Sequence, residues 1–431
     1  MKRLFVLWVL VLATAIRADE LPTAAPGEFG LKADVLAKIR PAMQSYVDDG
    51  KLPGIVTMVA RRGYVVHFEA VGLMDIASKK PMRRDAIFRI YSMTKPITSA
   101  ALMTLYEEGR FELDDPVSKY IPAFKELKVV GSLKDKQAPP VEPVREMTIH
   151  DLLRHTAGLT YGFFGNTVVD QQYRKVGVLD RRSTLEAMVD KLSRIPLLYQ
   201  PGTRWHYSVA VDVLGRLVEI LSGQTLDVAF EQRILKPLDM HDTAFYVPEE
   251  KLDRLTTNYR PGVGGLVAID KPATSQYRKQ PGLLSGGGGM VSTARDYMRF
   301  CQMMLNGGML DGQRILKQET VALMTQNHLA DELMPIGFGP LKRKGVGFGL
   351  GFSVRVAATG DLPQGTVGEY GWGGAASTNF WISPREQLIG VAMTQRMPVS
   401  SQYSNEFHRL VYEAITTPYG SKKQPAAAGA R

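Results

Sequence analysis

The chain has 431 residues, a formal charge of +10 and 45% hydrophobic residues. That length allows one large domain or two smaller ones, and the composition supplies a sizeable core, which excludes disordered and fibrous classes. The basic excess is spread along the sequence with no aromatic-interleaved basic motif, which excludes nucleic-acid binding and leaves loose attraction to anionic envelope polymers or lipid.

Residues 1–18 read as a signal peptide. Lys2 and Arg3 form a basic region, and Leu4 to Leu12 is an apolar run too short to span a bilayer. Cleavage follows Ala15 or Ala18. The sequence therefore predicts export to the periplasm or medium, without a stable membrane anchor. Cys301 is the only cysteine, so no internal disulfide is possible, and its apolar surroundings predict burial. The basic clusters Arg61-Arg62, Lys342-Arg343-Lys344 and Lys422-Lys423 read as solvated surface.

Residues 19–28 read as a loose lead-in. Val35, Leu36, Ile39, Met43, Tyr46 and Val47 recur at helical spacing, with Pro41 interrupting or kinking that helix. Ile55 to Ala60 and Tyr64 to Val71 read as a hairpin turning at Arg62-Gly63. From Ser92 to about Cys301 the pattern is helices separated by long loops, notably 131–146 and 262–289. Strand-like runs return at 348–355, 366–370, 376–382 and 388–394, and Phe407 to Ile415 marks a closing amphipathic helix. Residues 421–431 read as a disordered tail. This predicts an α/β (α+β) domain over 19–420, with a sheet from 29–91 and 302–418 and an inserted all-helical region, 92–301.

Ser92-Met93-Thr94-Lys95 carries the first chemistry. Residues three apart share a helix face, so a lysine there can help take the proton of a serine nucleophile. Pro96 suits a first turn. Tyr207, ahead of a predicted helix, offers a phenol for proton transfer. Gly371-Trp372-Gly373-Gly374-Ala375, just before a predicted strand, lets a ligand approach the backbone, and the next N–H can face an oxyanion.

In chain order, Ser92-x-x-Lys95, Tyr207-Ser208-Val209 and Trp372-Gly373-Gly374 resemble the serine β-lactamase and penicillin-binding-protein superfamily, closest to the class C-like branch with the family VIII carboxylesterases. The stretches 111–117, 148–159, 201–208 and 287–293 resemble that branch too. The resemblance implies a β-lactamase/transpeptidase-like fold, an antiparallel sheet flanked by N- and C-terminal helices. It implies that Ser92 is acylated, that Lys95 orients or deprotonates it, and that Tyr207 is general base and then acid. It places the oxyanion hole at the N–H groups of Ser92 and Ala375. Which of Lys95 and Tyr207 is the base stays open.

Two departures bear on the substrate. Val209 replaces the asparagine of Tyr-x-Asn, and Trp372 replaces the lysine of Lys-Thr-Gly. A partner for a β-lactam amide and a cation for its carboxylate are both lost. This favours neutral esters, with Trp372, Gly373, Gly374, Val209, Tyr161 and Phe163 lining the pocket. The expected activity is hydrolysis of short-chain carboxylic esters. The alternatives are a D,D-peptidase or D-aminopeptidase, a weak β-lactamase, or a non-catalytic peptidoglycan-binding sensor. No metal or other cofactor is expected, because the histidines lack ligand spacing and the Ser285–Gly289 run is followed by no G-K-[ST]. The expected partner is a small-molecule ester; oligomeric state is left open. His155 reads as packing or capping rather than half of a Ser-His pair.

Overall fold

A computed structural model describes residues 21–420 except 136, 340 and 361–364. The predicted signal peptide and tail, with Lys422-Lys423, lie outside the described residues. The expected hairpin joins β1 (Gly54–Arg61) to β2 (Tyr64–Asp75). Arg62 and Gly63 both take positive φ, 52° and 85°, which matches the strand twist across a two-residue turn. The remaining sheet strands are β3 (Lys80–Pro81), β4 (Val346–Phe348), β5 (Ser353–Arg355), β6 (Tyr370–Gly373), β7 (Asn379–Ser383) and β8 (Leu388–Thr394). They form one eight-stranded sheet in the order β4-β5-β6-β7-β8-β1-β2-β3, each neighbour antiparallel. Ile55 opposes Thr394, so a strand from the start of the chain pairs with one from its end.

Helices cover both faces. On one side lie α1 (Ala33–Leu36), α2 (Ile39–Asp48) and the closing helix Gln402–Glu413, packed through Ile39, Met43, Val59, Trp381 and Phe407. The break between α1 and α2 falls at Ala37-Lys38, ahead of Pro41. Proline sits in the first turn of α2, where its missing N–H costs no helical bond. On the other side lie α3 (Thr94–Glu107), α4 (Ile149–Leu153), α5 (Ala210–Ser222) and α6 (Ala294–Leu305). α3 is buried on almost all sides, as a core helix must be when apolar residues surround it. Cys301 is buried in α6. No helix among the described residues is long and apolar enough to cross a membrane.

Several expectations are corrected. The segment before α1 is not loose: Thr23 bridges to Val65, and the Ala24 N–H donates to the Val65 carbonyl at 3.1 Å. Arg61 is fully buried rather than solvated. Its guanidinium donates to Glu386 Oε2 at 3.0 Å and to the carbonyls of Phe29, Gly30 and Thr417. Burial is tolerated because these donors meet acceptors. Lys342 and Lys344 are exposed as expected.

The region 92–301 is not all helix. A hairpin, Asn258–Gly262 with Gly265–Asp270, occupies part of the expected 262–289 loop. Leu266 to Asp270 alternates half-buried and exposed residues, a period of two that the surrounding Gly and Pro obscured. Near the end, the strand expected at 366–370 lies at Tyr370–Gly373 instead. Trp372 and Gly373 therefore lie within one strand as well as ahead of the next, Asn379–Ser383.

Candidate active site

Ser92 lies in the 3-10 turn Tyr91–Met93 that leads into α3, and Lys95 follows one turn later. Tyr91 has φ of 42°, a conformation that non-glycine residues rarely adopt. The turn is held by neighbours: Asn258 Nδ2 donates to the Tyr91 hydroxyl at 3.2 Å, and the Met93 carbonyl accepts from the Tyr297 hydroxyl at 2.7 Å. Ser92 is half-buried, while Lys95 is fully buried.

A buried ammonium needs an acceptor for each proton. Lys95 Nζ has three contacts: Gly287 O at 2.6 Å, the Tyr161 hydroxyl at 2.7 Å and Ser92 Oγ at 3.4 Å. Nζ also lies 4.6 Å from the centroid of the Tyr207 ring. Tyr207 sits in the loop before α5, as expected, and is 7% exposed. Trp372 Nε1 donates to its hydroxyl at 3.3 Å. Serine, amine and the Tyr161 phenol thus form one hydrogen-bonded cluster, with the Tyr207 ring packed against the amine and an indole N–H on the Tyr207 hydroxyl. Such a cluster can move a proton off a serine and return it to a departing oxygen.

Tyr161 was expected as a pocket wall. It belongs to the cluster itself, and nothing in its sequence context marked it as a lysine partner. Burial, then the neighbouring Tyr207 and Asp212, push its hydroxyl well above the usual phenol range, so it remains a protonated donor. Phe163, its neighbour in the pocket prediction, lies with its ring 4.9 Å from Tyr161 and faces solvent.

Asp212 and Gly287 were also missed. Asp212, wholly buried on α5, accepts from the Gly287 N–H at 3.0 Å and from the Ser285 hydroxyl at 2.5 Å. Burial raises its carboxyl above the ordinary value, with Lys95 opposing the shift. The Gly287 peptide therefore joins a buried carboxylate to a buried ammonium. A Cβ at Gly287 would stand 2.3 Å from Asp212 Oδ2. Gly287→Ala is expected to cost about 1–3 kcal/mol, as overpacking does. It should also lower turnover by shifting the carbonyl that holds Lys95. Thermal melts and ester assays on the same preparation check both.

The predicted oxyanion donors come from two elements that touch. A Cβ on Gly374 would fall 2.3 Å from the Ile90 carbonyl, just before the Ser92 turn. Only glycine permits that approach, and Ala375 follows it directly in the turn between β6 and β7. Val209 presents no surface to the cleft. It is fully buried, and its N–H donates to Thr160 O at 3.3 Å. His155 is packing, as expected. Its ring lies 4.8 Å from that of Tyr207, and Nδ1 is 3.4 Å from Ser208 Oγ. Burial, then the nearby Lys95 cation, hold it well below the usual imidazole range, so it stays neutral. Among the described residues no cluster of three or more His, Cys, Asp or Glu side chains is placed to hold a metal.

Comparison with known proteins agrees with this fold. Residues 39–413 match the Beta-lactamase family. Protein Rv1367c of Mycobacterium tuberculosis is 36% identical over 364 residues, 83% of this chain and 89% of that protein. Esterase EstB of Burkholderia gladioli is 31% identical over 392 residues, 85% of this chain and 92% of that protein. The structure of EstCE1, a hydrolase with promiscuous acyltransferase activity, superposes with a TM-score of 0.75 at 29% identity, covering 88% of this chain and 99% of that one. The chain belongs to the beta-lactamase family and is a serine hydrolase of that fold.

Proposed function

We propose that this chain is an exported carboxylesterase that cleaves neutral short-chain esters through an acyl-Ser92 intermediate. Ser92 Oγ attacks the acyl carbon, and its proton passes to the Lys95–Tyr207 pair. The N–H groups of Ser92 and Ala375 bind the oxyanion. Tyr207 then protonates the departing alkoxide, and the free alcohol leaves. A water attacks acyl-Ser92 by the same route, giving the carboxylic acid and restoring the serine O–H. The observation that carries the ester reading is the Trp372 Nε1 contact to the Tyr207 hydroxyl. A neutral donor stands where the β-lactamase pattern has a cation, so the site keeps a hydrogen-bond donor on the Tyr207 oxygen without inviting a substrate carboxylate. The relatives named esterase support the same reading.

Trp372→Lys tests it. A cation beside Tyr207 should weaken p-nitrophenyl butyrate hydrolysis and raise any activity on nitrocefin. A charge-assisted hydrogen bond is worth roughly 1.5–3 kcal/mol, so the kcat/KM ratio should shift about tenfold to a hundredfold. The gain should stay partial, because Val209 supplies no amide. An unchanged ratio in a folded variant would defeat the ester argument. Parallel assay of a D-Ala-D-Ala peptide separates the esterase from a peptidase, an activity carried in the name of a Salmonella relative. N-terminal sequencing of the mature protein tests export.

A further inference from the structure

We infer that the alcohol half of the substrate is a flat aromatic group, and that Phe164 and Phe338 select it by stacking. This rests on the roles proposed for Ser92 and Tyr207. A general acid must reach the leaving oxygen, so the alcohol half departs beside the Tyr207 hydroxyl.

Rings lead outward from the Tyr207 ring. Phe338 lies 5.2 Å from the Tyr207 ring, nearly edge-on at 81°, and Phe164 lies at 6.0 Å and 49°. Phe164 and Phe338 are 6.2 Å apart, and Phe163 is 4.6 Å from Phe164. They come from two segments far apart in sequence, yet form one strip from the buried Tyr207 to solvent. Phe163 and Phe164 are 59% and 57% exposed, and Phe338 is half-buried. Single exposed apolar residues need no explanation, but a continuous strip ending at a reactive cluster marks a binding surface.

Arg174 donates to the carbonyls of Gly162 and Gly165 and to Asn166 Oδ1, which pins the loop that carries Phe163 and Phe164. Ring faces and edges at these spacings favour another ring over a saturated chain of equal area. The short-acyl preference and the aryl preference thus concern opposite sides of the scissile bond.

The test compares 2-naphthyl acetate with ethyl acetate. Both give the same acetyl-enzyme, so their kcat/KM values differ only through steps up to alcohol release. Intrinsic reactivity cancels when each variant's ratio is divided by that of the wild type. Phe164→Ala and Phe338→Ala are each expected to lower the naphthyl-to-ethyl ratio about threefold to tenfold, the scale of one aromatic pair. Phe164→Leu, which keeps apolar bulk without a ring, should behave like alanine. The exposure of Phe164 keeps folding out of question, and melting temperatures verify it. A leucine variant with the wild-type ratio, or equal losses on both esters, would overturn the inference while ester turnover stands. Full turnover by Ser92→Ala would instead overturn the underlying site reading, whatever the ratios.

Discussion

Replacing Ser92 by alanine is expected to abolish ester turnover and leave the fold intact. The loss should reach about 10⁴-fold or more, the scale on which serine hydrolases lose activity without their nucleophile. The Ser92 hydroxyl makes a 3.4 Å contact with Lys95, and Lys95 keeps its shorter contacts to Tyr161 and Gly287. The melting temperature should therefore hold. Labelling by a fluorophosphonate should vanish in parallel with turnover. A folded Ser92→Ala protein that still labels or still turns over ester would remove the assignment.

The second large effect is expected at Tyr207 and Lys95. Tyr207→Phe keeps the ring, its contacts with His155 and Phe338, and removes only the hydroxyl that Trp372 reaches. A fall in kcat of about 10²-fold or more is expected, the usual contribution of a general acid–base. Lys95→Ala should lose comparably. It also strands the Gly287 carbonyl, so its melt should fall where that of Tyr207→Phe does not. Residues that act as one unit are strongly non-additive, so the double variant should lose far less than the product of the two. Steady-state kinetics on all four proteins measures this, and full additivity would show that the two groups act in separate steps.

The nucleophile turn, the tyrosine loop and the indole were legible because each rests on local order: three-residue helix spacing, a loop before a helix, a glycine-flanked motif. The cluster they join was not. Tyr161 lies 66 positions from Lys95, and Gly287 lies 192; their contacts exist only after α3 and α5 have packed. Phe338 is harder still, since it reaches Tyr207 from a two-residue strand, Gly337–Phe338, too short for any periodicity. Val209 fails for the opposite reason. Its place in a three-residue motif suggested a wall of the cleft, whereas the start of α5 turns it into the core. Arg61 shows the same limit: charge predicts solvent until a fold supplies carbonyls from both ends of the chain.

That pairing of chain ends sets an order of assembly. β1 is hydrogen-bonded to β8, which starts at Leu388, and Arg61 at its end waits on Glu386 and Thr417. During synthesis, the first strands must remain without their central neighbour until β8 has emerged. Non-local pairing of this kind is slow and leaves strand edges open meanwhile. The sheet therefore cannot close until β8 has been made, long after β1 and β2, and those first strands must be kept from other partners in the interval.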